Sequence, residues 1–250
     1  MTSTTYLIVG ATRGIGFAFA KSLSANKANL VIGTARSEES AKKLQALGSN
    51  VKTFLIDMQD TWAKFEDSFK ALESLAPNGI DVFIHNAGIA GPPSLAPSYA
   101  YDVDTYKEIL EINVGGPAKS YKAAYQYIFK GEGIKKIVLV SSSVGQMGHH
   151  IGGNAYSASK AALNHFGIQV SQENAGSEVE LIKDSVTILL CPGLVDTDFT
   201  APIKHLLPPE AFSSPEKAVS RCLSVIEKIT PTDTGKFFTG EGETQPFSTV

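Results

Sequence analysis

Short apolar segments alternate with longer helical patterns along the whole chain, and this alternation limits the fold more than any other sequence feature. Near-continuous apolar strands are typical of a sheet that is covered on both faces. Strand–helix alternation indicates right-handed crossovers between parallel strands. We therefore predict an α/β fold in one domain over residues 1–250, a doubly wound parallel sheet of seven strands with helices on both faces. The predicted strands are Tyr6–Val9, Asn29–Thr34, Val51–Ile56, Val82–His85, Lys136–Ser141, Val186–Cys191 and Lys236–Thr239. The predicted helices are Ile15–Ala25, Glu38–Ala46, Ala63–Leu75, Thr105–Phe129, Ala155–Asn174 and Pro215–Ile229.

Composition narrows the classes of function. The chain has 250 residues, a formal charge of -3 and a pI of about 6.0, unlike a basic nucleic-acid-binding surface. No segment approaches the ~20 apolar residues of a membrane span, and the first residues lack the features of a signal peptide. Cys191 and Cys222 match no disulfide framework and no metal-binding spacing. We expect a soluble cytoplasmic protein that binds neither nucleic acid nor membrane.

A glycine-rich turn joins the first strand to the first helix, with the spacing G-x-x-x-G-x-G. Glycines permit a tight turn and a close approach of the backbone to a pyrophosphate. The N-terminus of the following helix directs free N–H groups and partial positive charge at the anion. A plain turn is the alternative, although the position between strand and helix favours a phosphate cradle. The residues of the predicted cradle are Gly10, Thr12, Arg13, Gly14, Ile15 and Gly16.

The end of the second strand indicates which dinucleotide binds. NAD-binding folds usually carry an acidic residue there, to hold the ribose 2′-OH. This chain has Arg36 instead, and no carboxylate before Glu38. The guanidinium groups of Arg13 and Arg36 could converge on a 2′-phosphate, for which bidentate donors are suited. We therefore predict NADPH/NADP as cofactor; alternatively, Arg36 starts the next helix and faces water.

Two further strand ends carry candidate cofactor contacts. Asp57, followed by Met58, closes the third strand, and its carboxylate could accept from the adenine amino group or cap the next helix. Asn86, Ala87 and Gly88 close the fourth strand. Small residues there let the chain pass under a cofactor, and Asn86 could tie neighbouring strands together; a plain turn is the alternative.

Tyr156 and Lys160 are spaced four residues apart in a predicted helix, so they share one face. A free tyrosine titrates near ~10, and a nearby ammonium group favours the phenolate and lowers that pKa. Such a pair could exchange a proton with an oxygen attached to carbon. Taken alone, the pair is better explained as a surface tyrosine lying on a lysine side chain, and it is the neighbouring motifs that favour the catalytic interpretation.

These motifs, in this order, resemble the short-chain dehydrogenase/reductase superfamily in its single-domain branch, over Tyr6 to Phe238. The resemblance implies a Rossmann-type fold and makes Tyr156 the catalytic acid/base. Lys160 is implied to lower the pKa of that tyrosine and to hold the nicotinamide ribose. Asn113 is implied to support a water in a proton relay. Val9 stands where the family usually has threonine.

The family's catalytic serine has two candidates after the fifth strand. Ser142 lies three residues before Gly145, as the family's serine usually does, whereas the commonest serine-to-tyrosine spacing selects Ser143. We predict Ser142, with a one-residue insertion in the loop His149–Ala155. Its hydroxyl could donate to the substrate oxygen as negative charge develops. After the sixth strand, the resemblance implies that a turn holds the nicotinamide carboxamide, with Pro192, Gly193, Val195 and Thr197 in the cofactor site.

The combined reading is an NADPH-dependent reductase of a small ketone or aldehyde. The predicted substrate pocket draws on Ile89–Tyr101, Ser143–Asn154 and Gly193–Phe212, and its composition suggests a fairly apolar carbonyl compound. A non-catalytic dinucleotide-binding regulator with the same fold is the alternative. We expect no metal site, because the adjacent His149 and His150 point apart and lack a third ligand. The family resemblance also implies a homodimer or homotetramer.

Overall fold

A computed structural model describes residues 3–91, 98–148 and 154–248. Within them, eight strands form one sheet in the order β3-β2-β1-β4-β5-β6-β7-β8. Every neighbouring pair is parallel except the last, in which β8 runs antiparallel to β7. This confirms the doubly wound parallel sheet, but the predicted number of seven strands is wrong by one. The strands are β1 Thr5–Val9, β2 Leu30–Ala35, β3 Val51–Leu55, β4 Val82–His85, β5 Lys136–Val140, β6 Val186–Cys191, β7 Phe237–Thr239 and β8 Thr244–Gln245.

Helices connect the parallel strands, as the alternating pattern predicts. Short 3₁₀ turns lie in the connecting loops at Ser98–Ala100, Ser143–Gly145, Ala201–Leu206, Pro209–Ala211 and Pro231–Asp233. No helix in the described part of the chain has the length and apolarity that crossing a membrane requires. The helices are α1 Gly14–Ser24, α2 Glu38–Gln45, α3 Trp62–Phe69, α4 Leu72–Leu75, α5 Val103–Leu110, α6 Gly116–Ile128, α7 Asn154–Ala175, α8 Glu180–Lys183 and α9 Pro215–Lys228.

The long helix predicted over Thr105–Phe129 is not continuous. A π-helical turn, Glu111–Gly115, separates α5 from α6, and the N–H of Gly116 donates to the carbonyl of Glu111. Pro117 explains the break, because it has no N–H to give to the carbonyl of Asn113 and its ring crowds that carbonyl. Such single π turns are frequent at functional sites. Asn113 lies inside this turn and is fully buried.

Apolar cores lie on both faces of the sheet. Alternate residues of β1 point to opposite faces: Leu7 packs in one cluster with Phe65 of α3, and Ile8 packs in the other with Phe19 of α1. At roughly 25 cal/mol per Å² of apolar surface, burial of these side chains is the main stabilising contribution to the fold. The carboxyl ends of the parallel strands therefore form one rigid edge, on which loops can carry chemistry.

The tail after Thr239 supplies the strand that the sequence reading missed. A tight turn at Gly242 (φ +90°) reverses the chain, and β8 then pairs with β7. The ring of Phe247 packs edge-on against Phe237, with 5.9 Å between ring centroids. Beyond β8, the Gln146 side chain donates to the carbonyl of Pro246 at 2.6 Å. The tail thus lies beside the loop that follows β5.

Candidate active site

A cavity of about 470 Å³ opens at the carboxyl ends of the parallel strands, where the fold predicts a ligand. Loops that follow β1 to β6 supply its walls. All the predicted cofactor-binding and catalytic residues line this cavity except Gly16 and Asn113, which lie behind its wall. The predicted residues on the wall are Gly10, Thr12, Arg13, Gly14, Ile15, Arg36, Asp57, Met58, Asn86, Ala87, Gly88, Ser142, Tyr156, Lys160, Pro192, Gly193, Val195 and Thr197.

The glycine turn has the shape of a phosphate cradle. Gly10 has φ +82°, and a Cβ added there would lie 2.7 Å from the Cα of Ala87. A Cβ on Gly16 would lie 2.0 Å from the carbonyl oxygen of Gly10. Asn86 Nδ2 donates to that same carbonyl at 2.9 Å, so it ties the end of β4 to the turn after β1 as expected. Arg13 stands at the N-cap of α1 without a side-chain capping bond, which leaves the first N–H groups of the helix to an anion.

The two arginines lie at the β2 end of the cavity. Arg36 is exposed and precedes Ser37, whose side chain caps α2 by accepting from the N–H of Ser40. Arg36 is therefore not the first residue of the helix, contrary to the alternative reading. With Arg13 it provides two guanidinium groups in the wall of the same cavity.

Asp57 does not cap the helix that follows β3. Thr61 is the N-cap of α3, and Asp57 instead accepts from the N–H of Gln59 at 3.0 Å. The N–H of Asp57 donates to the Asp60 carboxylate at 3.1 Å. These bonds fix a tight turn, so the helix-capping alternative for Asp57 is wrong, and its carboxylate faces the cavity beside Met58.

Ser142 and Tyr156 meet in the cavity. Burial raises the pKa of Tyr156, and the neighbouring Ser142 hydroxyl lowers it by a smaller amount. Ser143 begins the 3₁₀ turn and does not line the cavity. The geometry therefore favours Ser142 over Ser143. The insertion was predicted in the loop His149–Ala155, of which residues 149–153, including His149 and His150, lie outside the described part of the chain.

Lys160 approaches the ring of Tyr156. Its Nζ lies 5.7 Å from the ring centroid and donates to the carbonyl of Val140 at 2.9 Å. Burial lowers the pKa of Lys160 to about 8, and burial also raises the pKa of Tyr156 above its ordinary value. Loss of hydration penalises the charged form of each side chain. That Lys160 lowers the pKa of Tyr156 during the reaction stays a prediction.

Asn113 ties the π-helical turn to two other parts of the site. Its Oδ1 accepts from the N–H of Ile89 at 2.8 Å, and its Nδ2 donates to the carbonyl of Ile89 at 2.8 Å and to Ser159 Oγ at 3.0 Å. A Cβ added to Gly88 would lie 3.1 Å from Asn113 Oδ1 and 3.8 Å from Lys160 Nζ. The amide thus fixes the loop after β4 next to the lysine.

The turn after β6 forms part of the cavity wall. Gly193 has φ +81°, and the Thr200 hydroxyl donates to the carbonyl of Val195 at 2.6 Å. The side chain of Thr197 lies near Gly14, since a Cβ added to that glycine would be 3.4 Å from Thr197 Cγ2. The cradle and this turn therefore lie next to each other in the cavity wall.

Sequence reasoning missed several residues of the site. The Phe199 ring meets the Tyr156 ring edge-on, with 5.5 Å between centroids, and Asn164 of α7 bonds to the loop of Ser142. Spacing could have indicated Asn164, because a polar residue four positions after Lys160 shares its buried helix face. His85 is 1 % exposed, and its Nε2 has no hydrogen-bond partner in the described part of the chain. Among the described residues, no group of three or more acidic, histidine or cysteine side chains could hold a metal ion.

Comparison with known proteins agrees with this geometry. The family model for short chain dehydrogenases matches residues 4–206. An uncharacterized oxidoreductase of Schizosaccharomyces pombe is 31% identical, and the match covers 98% of this chain and 99% of that protein. The 3-oxoacyl-[acyl-carrier-protein] reductase of Salmonella typhimurium is 31% identical over 78% of this chain and 74% of its own length. An NADPH-bound carbonyl reductase from chicken fatty liver superposes with a TM-score of 0.85 at 25% identity, covering 98% of this chain and 99% of that chain. The chain therefore belongs to the short-chain dehydrogenase/reductase superfamily of oxidoreductases.

Proposed function

We propose that this protein is an NADPH-dependent reductase that converts a ketone or aldehyde carbonyl to an alcohol. The observation that carries the proposal is that Ser142, Tyr156 and Lys160 line one cavity at the strand ends, with Lys160 Nζ 5.7 Å from the centroid of the Tyr156 ring. The names of two similar proteins support the reaction class, because one is a carbonyl reductase with NADPH bound and the other a 3-oxoacyl reductase.

The residues present fit a phosphorylated dinucleotide. A Cβ on Gly10 would collide with Ala87, and one on Gly16 with the Gly10 carbonyl, so both glycines preserve the tight turn at the N-terminus of α1, where a diphosphate would bind. Arg13 and Arg36 would hold the 2′-phosphate, and Asp57 would meet the adenine. When bound, the reduced nicotinamide supplies the hydride, and this chain supplies position, polarity and the proton.

Tyr156 is suited to give a proton. Its raised pKa keeps the phenol protonated at neutral pH, so it can donate to an oxygen that gains negative charge as carbonyl reduction proceeds. The Ser142 hydroxyl can donate to the same oxygen and stabilise that charge. With a pKa of about 8, Lys160 is mostly protonated at pH 7, and its ammonium has N–H groups beyond the one that binds Val140. Asn113, which is held beside Lys160, would order a water molecule. That water would pass a proton to Tyr156 after the phenol has donated its own.

The substrate half of the cavity is mainly apolar. Its lining includes Ile112, Val144, Leu194, Phe199 and Ile203. Apolar walls with a few converging polar groups are typical of sites for small organic ligands. We infer that the substrate is a fairly apolar ketone or aldehyde whose oxygen points to Ser142 and Tyr156.

A panel of ketones and aldehydes tests the proposal against the non-catalytic alternative. NADPH consumption is followed by absorbance, with NADH in parallel and product identified by mass spectrometry. We expect turnover of at least one apolar carbonyl, with NADPH preferred. Tight NADPH binding without consumption across a broad panel would instead favour a dinucleotide-binding regulator.

Three expectations belong with this proposal. The single sheet supports one domain over residues 1–250, which limited proteolysis tests. A homodimer or homotetramer stays a prediction that light scattering of the purified protein measures. A cytoplasmic location also stays a prediction, which fractionation of cells checks.

A further inference from the structure

The loop that carries Ser142 is attached to the helix that carries Tyr156 and Lys160. Ser141 Oγ donates to Asn164 Oδ1 at 2.5 Å, and Asn164 Nδ2 donates to the carbonyl of Gly145 at 3.2 Å. These two partners lie on either side of Ser142. One amide side chain therefore holds both ends of the short segment on which the serine sits.

Asn164 stands on the same face of α7 as the two catalytic candidates. Tyr156, Lys160 and Asn164 follow one another at intervals of four residues, and each such interval is about one helical turn. Asn164 is 3% exposed, and neither of its bonds competes with bulk solvent. The helix that fixes the tyrosine thus also fixes the serine loop, so one rigid element sets the spacing between the two hydroxyls.

The loop that carries Ser142 packs tightly against helix α7. A Cβ added to Gly145 would lie 2.7 Å from the backbone carbon of Lys160, so the loop touches the α7 backbone there. The N–H of Gly145 donates to the carbonyl of Ser142 at 3.0 Å, which closes the 3₁₀ turn. A shift of the Gly145 carbonyl would therefore move Ser142 directly.

We infer that Asn164 is a positioning residue, which holds Ser142 at the distance from Tyr156 that carbonyl reduction requires. The inference rests on the proposed function, since it needs Ser142 to act on the substrate oxygen. An asparagine suits the role because its side chain accepts from one partner and donates to another at the same time. Small misplacements of a catalytic group lower rates strongly, by about 100-fold for a shift near 1 Å.

The test compares Asn164→Ala with Asn174→Ala. Asn174 lies on the same helix, is 4% exposed and also makes two side-chain bonds, accepting from Tyr121 and donating to Ser185. Both substitutions remove a buried amide, so we expect similar losses in melting temperature. Only Asn164→Ala should lower kcat, by about 10–100-fold. The NADPH Kd should stay within about threefold of the wild type in both variants, because neither amide lines the cavity.

A double-mutant cycle separates positioning of Ser142 from a general structural effect. If Asn164 acts through Ser142, Asn164→Ala should change kcat by less than about threefold in the Ser142→Ala background. Equal effects in both backgrounds, or a wild-type kcat in Asn164→Ala, would overturn the inference and leave the proposed function standing. A wild-type protein without turnover on any carbonyl would overturn the proposed function first. Should Asn164→Ala fail to fold, Asn164→Ser is judged by the same two criteria.

Discussion

Replacing Gly16 with alanine should disable cofactor binding through the backbone, without adding any atom to the cavity wall. The new Cβ would lie 2.0 Å from the carbonyl oxygen of Gly10 and 2.7 Å from Asn86 Nδ2. Real Cβ atoms do not approach a backbone oxygen so closely, so the Gly10 carbonyl must move. Its bond from Asn86, now 2.9 Å long, would then weaken or break.

The magnitude follows from two contributions. Forcing a methyl group into a packed site costs about 1–3 kcal/mol, and a buried carbonyl that loses its donor costs about 1–3 kcal/mol more. We take about 2–4 kcal/mol in total for Gly16→Ala, since the two effects are not additive. If the whole cost makes the free energy of NADPH binding less favourable and none of it reduces the stability of the fold, the NADPH Kd rises by roughly 30- to 1000-fold.

Fluorescence titration with NADPH measures the part of this cost that weakens cofactor binding. Thermal unfolding measures the part that destabilises the fold. Gly176→Ala is the matched control, because the atoms nearest to its added Cβ lie at 3.4 Å and beyond, and its backbone has no positive φ. We expect the control to bind NADPH like the wild type. A Gly16→Ala protein that binds NADPH within threefold of the wild type and unfolds at the same temperature would refute the cradle geometry.

Three further predictions concern charge. Arg36→Ala should weaken NADPH binding by about 10- to 100-fold while changing NADH binding less than threefold, because charge-assisted hydrogen bonds contribute about 1.5–3 kcal/mol; parallel titrations that show equal losses would contradict it. His85 has its pKa lowered to about 3 by burial, and also by the charge of Lys160. As the pH falls below 6.5, His85 therefore becomes protonated in the unfolded chain before it does in the folded one, and the free energy of unfolding decreases. Urea unfolding between pH 6 and 4 should show a slope about 1.4 kcal/mol per pH unit steeper in the wild type than in His85→Asn, and equal slopes would contradict it. Asp81 binds Lys135, which is 1 % exposed, at 3.0 Å. Asp81→Ala should lower the free energy of unfolding in urea by about 3–5 kcal/mol, because it leaves the buried Lys135 ammonium without its partner. The double replacement Asp81→Leu with Lys135→Met should lower it less, and equal losses would contradict this explanation.

The architecture could be predicted because it depends on local patterns. Apolar runs and glycine turns recur in order along the chain, and the predicted strands differ from β1 to β7 by one residue or less at every end. The cradle followed from the same kind of evidence, since Gly10 and Gly16 stand between a strand and a helix. A two-residue strand such as β8 leaves no periodic signal, and its pairing depends on where Gly242 turns the chain.

The sequence could not predict features that depend on contacts between distant parts of the chain. One continuous helix was predicted over Thr105–Phe129, and the π-helical turn at Asn113 was missed, although Pro117 four residues later was a visible reason for a break. The direction of the Tyr156 pKa shift was predicted from its spacing to Lys160. The largest effect on the pKa of Tyr156 is its burial, which raises the pKa, and burial is a property of the folded molecule. Helical spacing could indicate that Asn164 shares the buried face of Lys160, but not that its amide bonds to Ser141 and Gly145, about twenty residues earlier in the chain.

Turnover of the Tyr156→Phe variant tests most directly whether this phenol completes the reduction of a carbonyl. The substitution removes one hydroxyl and keeps the ring that packs against Phe199. On a carbonyl that the wild type reduces, we predict that kcat falls by about 100- to 10,000-fold while the NADPH Kd stays within threefold. Turnover within tenfold of the wild type, with NADPH still bound, would contradict the assignment of Tyr156 as the proton donor.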